Sequence, residues 1–275
     1  MAVLRQRLLW VTRSSPFNLL TAQRLRAMGH GVVTMPLFDI RPLPAGDDGT
    51  RPDLIAFTSV HGVRHHPHQP EWSSVPVFAV GDATAAAARR FGYGHVHSAN
   101  GNLRDLQALI LRSAPTGSRL IHFCAREPAG DLAAYLRCRG FEADRRNVYE
   151  AVARPLAELR GLLLDRPKVQ GIVVHSPKAG QRAAELVADS GWLGTVFCLS
   201  EACAQDFRGI ARVVVKCAPR PTERALMETI RQATGGGCQA AATVFSSRLK
   251  DLGRHIVSNA LEGANDNDGP APTPA

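Results

Sequence analysis

Short apolar runs alternate with longer stretches whose apolar positions recur every three or four residues, and this rhythm holds from Leu8 to about Gly235. The first run, Leu8 to Thr12, reads as a strand, and the loop Arg13-Ser14-Ser15-Pro16 leads into a predicted helix over Phe17 to Met28. Ala22, Leu25 and Met28 share one face of that helix, and Gly29 or Gly31 can supply the left-handed residue that ends it. Val32 to Leu37 reads as the next strand. Pro36, Pro42 and Pro44, with Gly46 and Gly49, then predict a crossing linker rather than a core element. From Asp53 the alternation resumes through Phe57, Val80, Val96 and Phe123 to Val148-Tyr149, and it breaks again at Ala153-Arg154-Pro155. After Gly235-Gly236-Gly237 the character changes. Phe245, Leu249, Leu252, Ile256 and Ala260 fall on one helical face, which predicts an amphipathic helix docked on the body. Gly263 to Ala275 is rich in Asn, Asp, Gly and Pro and reads as a disordered tail.

Within this rhythm the chain repeats itself. Val77-Phe78-Ala79-Val80-Gly81-Asp82-Ala83-Thr84-Ala85 returns as Val196-Phe197-Cys198-Leu199-Ser200-Glu201-Ala202-Cys203-Ala204. Upstream, Leu54-Ile55-Ala56-Phe57-Thr58-Ser59 is echoed by Gly171-Ile172-Val173-Val174-His175-Ser176. Strands alternating with helices imply parallel sheets flanked by helices, so the predicted class is α/β with two similar domains. The expected division is a discontinuous first domain over 1–37 and 153–235, a second over 47–150, and an extension over 236–275. The chain would then cross between domains twice. A ligand is expected in a cleft between the halves, since pockets favour domain interfaces.

Composition narrows the classes. With 45% hydrophobic and 21% charged residues in 275, the chain suits a soluble globular protein large enough for two cores. No apolar run is long enough to span a bilayer, and the opening Met1-Ala2-Val3-Leu4-Arg5 passes too soon into a strand to read as a secretory signal. A cytoplasmic location is expected. The six cysteines form no C-x-x-C pair and read as reduced structural thiols. The formal charge is +9. Removing the three basic and four acidic residues of 236–275 from totals of 33 and 24 leaves 30 basic against 20 acidic, so the body is the basic part. That balance suits an anionic partner. No Lys/Arg run and no aromatic platform accompanies it, so nucleic acid is not the expected ligand.

In open α/β sheets, ligands sit beyond the carboxyl ends of strands, where loops enter helices. Arg13, Thr58-Ser59, Gly81 to Thr84, Ala125-Arg126, Ser176 with Lys178, and Ser200 all fall there. Small hydroxylated residues at helix starts leave backbone N–H groups available for carboxylate or phosphate. Each such loop alone reads as a helix cap; several together on a basic body read as an anion site. No phosphate-binding glycine loop is present, since Gly92-Tyr93-Gly94 follows a helix. His61, His65, His66 and His68 cluster in what Pro67 and Pro70 predict to be an irregular loop, with no carboxylate or thiol at metal-ligand spacing. His95 and His97 share one strand face. Tyr149, protonated at neutral pH with a reference pKa of about 10, is a candidate proton or hydrogen-bond donor, or else an amphipathic side chain at a domain seam.

The series Val11-Thr12-Arg13, Phe57-Thr58-Ser59-Val60-His61-Gly62-Val63, Val77 to Thr84 and Val148-Tyr149-Glu150-Ala151 resembles uroporphyrinogen-III synthases. So do His175-Ser176-Pro177, Leu199-Ser200-Glu201-Ala202 and Ala218-Pro219-Arg220-Pro221, in the right order over about residues 8–232. The resemblance implies two α/β domains joined by a two-stranded linker and no cofactor. It also implies a linear tetrapyrrole substrate, hydroxymethylbilane, bearing acetate and propionate on every ring. The implied reaction closes the macrocycle with loss of water and inversion of the last ring. Carried over by position, Thr58, Ser59, Gly81, Asp82, Ala83, Thr84 and Ser176 would hold carboxylates, with Arg13, Arg126, Lys178, Ser200 and Cys203 lining the site. Tyr149 matches the tyrosine proposed to assist departure of the substrate hydroxyl. A monomer is implied, with transient contact to the preceding pathway enzyme. The chain departs from the family where paired threonines give way to Ala202 and Cys203, where glycine gives way to Ala125, and where a basic residue near Gly130 is missing, with Arg126 the nearest substitute. A catalytically idle two-domain protein that binds an acidic small molecule or a protein partner is the competing expectation.

Overall fold

The computed structural model describes residues 6–44, 46, 49–164 and 169–235. The predicted helix spanning Phe245 to Ala260, the tail after it and Cys238 lie outside the described residues. Contacts divide the chain into two compact units, one taking the residues up to Asp39 and from Ala153, the other Ile40–Val152.

The chain opens with β1 (Leu8–Val11), α1 (Phe17–Ala27) and β2 (Gly31–Thr34), followed by β3 (Phe38–Pro42). It continues with β4 (Leu54–Phe57), α2 (Val60–His65), β5 (Val77–Ala79), α3 (Asp82–Arg90), β6 (Val96–Ser98), α4 (Leu103–Ser113), β7 (Arg119–Ala125), α5 (Leu132–Arg137) and β8 (Glu142–Ala153). It ends with α6 (Leu156–Leu164), β9 (Gly171–Val174), α7 (Pro177–Ala188), β10 (Gly194–Cys198), α8 (Glu201–Ala204), β11 (Val213–Cys217) and α9 (Glu223–Ala233). One sheet has the order β11-β10-β9-β1-β2 and the other β3-β8-β7-β4-β5-β6. The strand pairs from β1 to β2 and β9, and from β9 through β10 to β11, are parallel. So are those linking β4 to β5 and β7, β5 to β6, and β7 to β8.

Both units bury their central strands on two faces, which explains why these segments read as unbroken apolar runs. Every residue of β4 and of β9 is buried. In the first unit Trp10, Ile172, Val174, Val196 and Cys198 point to a layer made by α6 and α7, while Leu9, Val11, Val173 and Phe197 meet Leu25, Leu226 and Ile230 of α1 and α9. In the second unit Leu54, Ala56, Phe78 and Leu120 pack on Leu106, Ile110, Leu132 and Leu136 of α4 and α5. Phe57 and Phe123 stack at 5.8 Å on the opposite face, with Trp72 and His66 against them. Edge strands differ, as they should: β11 alternates half-buried with exposed residues and carries Lys216 outward.

Reading strands by position, β4, β5 and β6 correspond to β9, β10 and β11, and the β7–α5–β8 unit corresponds to β1–α1–β2. The second unit runs through its sheet in one pass, whereas the first unit takes the equivalent of β7–α5–β8 from the start of the chain. Two sequence expectations change. The proline-rich stretch includes the strand β3, and its edge position tolerates Pro42 because an edge strand can spare a backbone N–H. The histidine run is not an irregular loop: His61 and His65 lie on α2, which ends before Pro67 with His66 extended.

Candidate active site

The second unit places its candidate residues at the carboxyl ends of β4, β5 and β7, with Tyr149 inside β8 opposite the last residue of β7. Ser59 is extended and caps α2, its Oγ accepting the Gly62 N–H at 3.0 Å. The same oxygen lies 2.8 Å from the Tyr149 hydroxyl. A β-bulge brings Tyr149 there: Cys124 pairs with Asn147, but Ala125 pairs with Tyr149, so Val148 is the extra residue. Val148 and Tyr149 are consequently both buried although adjacent in a strand. Burial raises the Tyr149 pKa, against a smaller lowering by the Ser59 hydrogen bond, so the phenol is protonated at neutral pH. The rings of His61 and His65, one turn apart on α2, lie 5.5 and 6.2 Å from the tyrosine ring. Gly62 is required where it stands, because a Cβ there would sit 2.7 Å from the Phe123 carbonyl oxygen.

Thr58 Oγ1 is 3.0 Å from His122 Nε2. His122 is fully buried, and burial drops its pKa to about 4, so it is a neutral imidazole holding the loop from beneath. Gly81 caps α3 in an extended conformation and brings no side chain to cap it. The first turn of α3 therefore offers its N–H groups without a side-chain acceptor. Asp82 stands in that turn and accepts the Ser98 hydroxyl at 2.7 Å, Ala83 is exposed, and Thr84 is buried. Arg126 donates its backbone N–H to the Tyr149 carbonyl at 2.8 Å and pairs its guanidinium with Glu150 at 2.8 Å.

The first unit repeats several of these details. Ser176 is extended and caps α7 by accepting the Ala179 N–H at 3.2 Å, as Ser59 does three residues before Gly62. Ser200, like Gly81, is an extended cap without a side-chain cap bond; its hydroxyl lies 3.2 Å from the buried Cys203 thiol. Cys217, which stands where Ser98 does, has its thiol pKa pushed up to about 11 by burial and then by the neighbouring Glu201 carboxylate. Lys178 sets its ammonium 5.4 Å from the centre of the Phe38 ring.

One residue escaped sequence reasoning. Glu223, at the start of α9, accepts from Thr21 Oγ1 at 2.7 Å and His175 Nε2 at 3.1 Å, and it pairs with Arg13 and Arg24 at 3.2 Å each. Burial alone would raise its pKa, but hydrogen bonds from His175 and Thr21 and the charge of Arg13 hold it at about 2. Burial lowers the His175 pKa more than Glu223 raises it, so a neutral imidazole N–H donating to a carboxylate describes the bond. Arg13 thus reaches its candidate position already paired, with its guanidinium 4.8 Å from the centre of the Phe17 ring. Only the spacing of Thr21 and Arg24 on one helix face hinted at this hub, since its partners come from distant parts of the chain.

Residues 20–228 match the family model described as Uroporphyrinogen-III synthase HemD. The fold is similar to that of uroporphyrinogen-III synthetase from Helicobacter pylori, at 15% identity over 83% of this chain and 99% of that one, with a TM-score of 0.58. It is also similar to a mutant uroporphyrinogen III synthase from Thermus thermophilus, at 14% identity over 82% and 97% of the two chains, with a TM-score of 0.51. At such identities the structural likeness speaks for the fold. No curated protein sequence matches the chain.

Proposed function

The chain belongs to the uroporphyrinogen-III synthase family, and from that premise we propose that it converts hydroxymethylbilane to uroporphyrinogen III. The observation that carries the reading is the family match across residues 20–228. In this reaction the hydroxymethyl C–O bond breaks, water leaves, and the last pyrrole ring attacks through its substituted carbon so that it ends inverted. The pyrrole nitrogen lone pair supplies the push that expels hydroxide. Strong acid catalysis is therefore not demanded, and the protein's main task is to hold the chain so that the substituted carbon is the one within reach.

The Ser59–Tyr149 pair suits the small remaining chemical role. If Ser59 donates to the phenol oxygen, the Tyr149 proton is left to meet the departing hydroxyl, and burial keeps that proton on at neutral pH. Thr58, Ser59 and Gly81 to Thr84 in one unit, and Ser176, Lys178, Ser200 and Cys203 in the other, supply short donors and helix starts for carboxylates. Arg13 and Arg126 add positive charge, each moderated by a glutamate partner. The reading also carries a cytoplasmic monomer that meets the enzyme supplying its substrate only transiently. Among the described residues no helix is long and apolar enough to cross a membrane.

The test is to incubate the purified chain with freshly made hydroxymethylbilane, oxidise the products and separate the isomers. The type III isomer should predominate over type I, which forms spontaneously. Type I alone, at the uncatalysed rate, overturns the reading; saturable binding of the bilane without conversion would identify an idle binding protein instead.

A further inference from the structure

His122 stands at a position where the fold itself does not ask for a polar side chain. It lies inside β7 with no exposed surface, its Cα paired with that of Ala56 in β4. The internal repeat puts Val11 of β1 at the matching position, since Val11 pairs with Val173, the counterpart of Ala56. Val11 is equally buried and packs in an apolar layer. An imidazole in such a place must take two ring nitrogens out of water, which costs stability unless both find partners. Nε2 lies 3.0 Å from Thr58 Oγ1, whereas among the described residues Nδ1 meets no hydrogen-bond partner. Burial keeps the ring neutral, with a pKa of about 4. One of the two nitrogens therefore carries a proton and the other a lone pair.

The two placements of that proton give the loop opposite characters. With the proton on Nδ1, a buried N–H is left without an acceptor, and Nε2 takes the proton of the Thr58 hydroxyl. Thr58 then turns only lone pairs toward the site, and these repel a carboxylate. With the proton on Nε2, the ring donates to Oγ1 and the unmatched group is a lone pair, the less costly one to leave buried. Thr58 keeps its own proton to give, from a half-buried position just past the carboxyl end of β4. We infer that His122 is a positioning residue that fixes the Thr58 hydroxyl as a hydrogen-bond donor to a substrate carboxylate. The inference rests on the proposed synthase reading and deepens it with a residue that the family motifs do not name. A bond from a hydroxyl to a carboxylate is charge-assisted, the stronger kind. A hydroxyl free to turn would accept as readily as donate, and the histidine removes that choice. The first unit has no such hydroxyl to direct: His175 occupies the place of Thr58 and lies 3.1 Å from Glu223 through its own Nε2, and Val11 suffices in the strand.

The experiment uses the full chain with isotope-labelled histidine nitrogens. A two-bond nitrogen–proton correlation at neutral pH reads which nitrogen of His122 carries the proton, and the resonance missing from H122Q identifies the ring. The proton is expected on Nε2. Binding of uroporphyrin III, an octacarboxylate bearing the same acetate and propionate arms, is followed by porphyrin fluorescence. T58V, which removes the hydroxyl, should bind about tenfold more weakly. H122V, which installs the side chain of the matching position in the first unit, should bind about threefold more weakly. H122Q, whose amide can still donate to Thr58, should stay within about twofold of the wild type. The H122V/T58V double variant should bind like T58V alone, because the histidine acts only through the hydroxyl. A proton on Nδ1, no binding by the wild type, unchanged binding by T58V or H122V, or losses that multiply in the double variant would overturn the inference. If H122V does not fold, the position of the ring proton in the wild type and the binding of T58V and H122Q decide it. Turnover on the same preparations separates the two claims. If the wild type gives only the type I isomer while the ring proton and the binding series come out as expected, the synthase reading falls and the role of His122 stands. If the wild type gives type III with the proton on Nδ1, the role of His122 falls and the synthase reading stands.

Discussion

The positions of Thr58 and His175 correspond in the two units, and they are spent differently. In the second unit the loop after β4 ends in hydroxyls: Thr58 leans on a neutral buried histidine and Ser59 on a phenol. In the first unit the loop after β9 feeds an ionic hub, with His175, Arg13, Arg24 and Thr21 all converging on Glu223. The next residue, Ser59 or Ser176, caps its helix in both. The same fold position therefore carries a neutral, donor-rich loop in one unit and a self-satisfied charged one in the other. Groups already locked in an ion network make poor movable catalysts but good fixed posts. The chemistry is thus expected to depend on the second unit, and the first to supply position.

The largest expected difference is in acid. His66 and His122 of the second unit are buried and held near pKa 4, chiefly by burial, against about 6.5 in an unfolded chain. Their folded pKa values are depressed, so the stability they allow is complete above pH 6.5. It is lost as pH falls from 6.5 toward 4, because the unfolded chain takes up protons that the folded unit refuses. The loss amounts to at most about 3 kcal/mol for each histidine. His66 makes the cause concrete: its two nitrogens meet the Val63 carbonyl at 2.6 Å and the Tyr93 hydroxyl at 2.7 Å, an arrangement suited to one ring proton. In the first unit His30 and His175 shift the same way, but His175 has a carboxylate beside it to receive a charged form. Hydrogen exchange read peptide by peptide, corrected for the intrinsic pH effect, should show the second unit opening first between pH 6 and 4, within the window of those pKa values. Simultaneous opening would break the contrast.

Next in size is Glu223→Ala. It leaves Arg13, Arg24 and His175 facing one another without their carboxylate, and should cost on the order of 3 kcal/mol. Exchange protection should fall in the first unit and hold in β4 to β7, and Glu223→Gln should recover part of the loss by keeping the hydrogen-bond acceptor. The carboxyl group contributes above its unfolded pKa of about 4.5, and its contribution disappears as pH falls toward 2. A Glu223→Ala protein with unchanged denaturant midpoint would mean that the hub is a surface ornament, and the division into posts and chemistry would lose its footing.

How much of this could be read from residues alone depends on the range of the forces involved. The parallel α/β layers were legible because burial on both faces writes continuous apolar runs such as Leu54-Ile55-Ala56-Phe57 and Gly171-Ile172-Val173-Val174. The helix starts at Ser59, Gly81, Ser176 and Ser200 were legible because capping is local. The histidine run misled because four polar rings and two prolines outweigh Val60 and Val63, the two apolar residues that bury α2. Strand β3 was hidden by prolines that only an edge position tolerates. The Glu223 hub was beyond reach for another reason: its partners lie 48 or more positions away, and nothing local marks a glutamate that four distant donors will find. The bulge that re-aims Tyr149 is likewise a property of two strands together, and neither β7 nor β8 announces it alone.

The smaller effects concern catalysis in the second unit. Tyr149→Phe should lower kcat about tenfold and leave KM nearly unchanged, since the pyrrole nitrogen does most of the work of expelling hydroxide. Type III should remain the main isomer, because the phenol assists departure and does not choose which carbon is attacked. Ser59→Ala sharpens the point at lower cost. It removes a helix cap, worth about 1 kcal/mol of stability, and it also removes the group 2.8 Å from the Tyr149 oxygen. If Ser59 acts on the reaction by orienting that phenol, its effect on kcat should vanish in a Tyr149→Phe background, so the double variant should turn over like Tyr149→Phe alone. Losses that multiply would assign the serine a separate contact with substrate. The cap loss, read as a shift in denaturant midpoint, should be the same in both backgrounds, because the Gly62 N–H that Ser59 accepts does not involve the tyrosine.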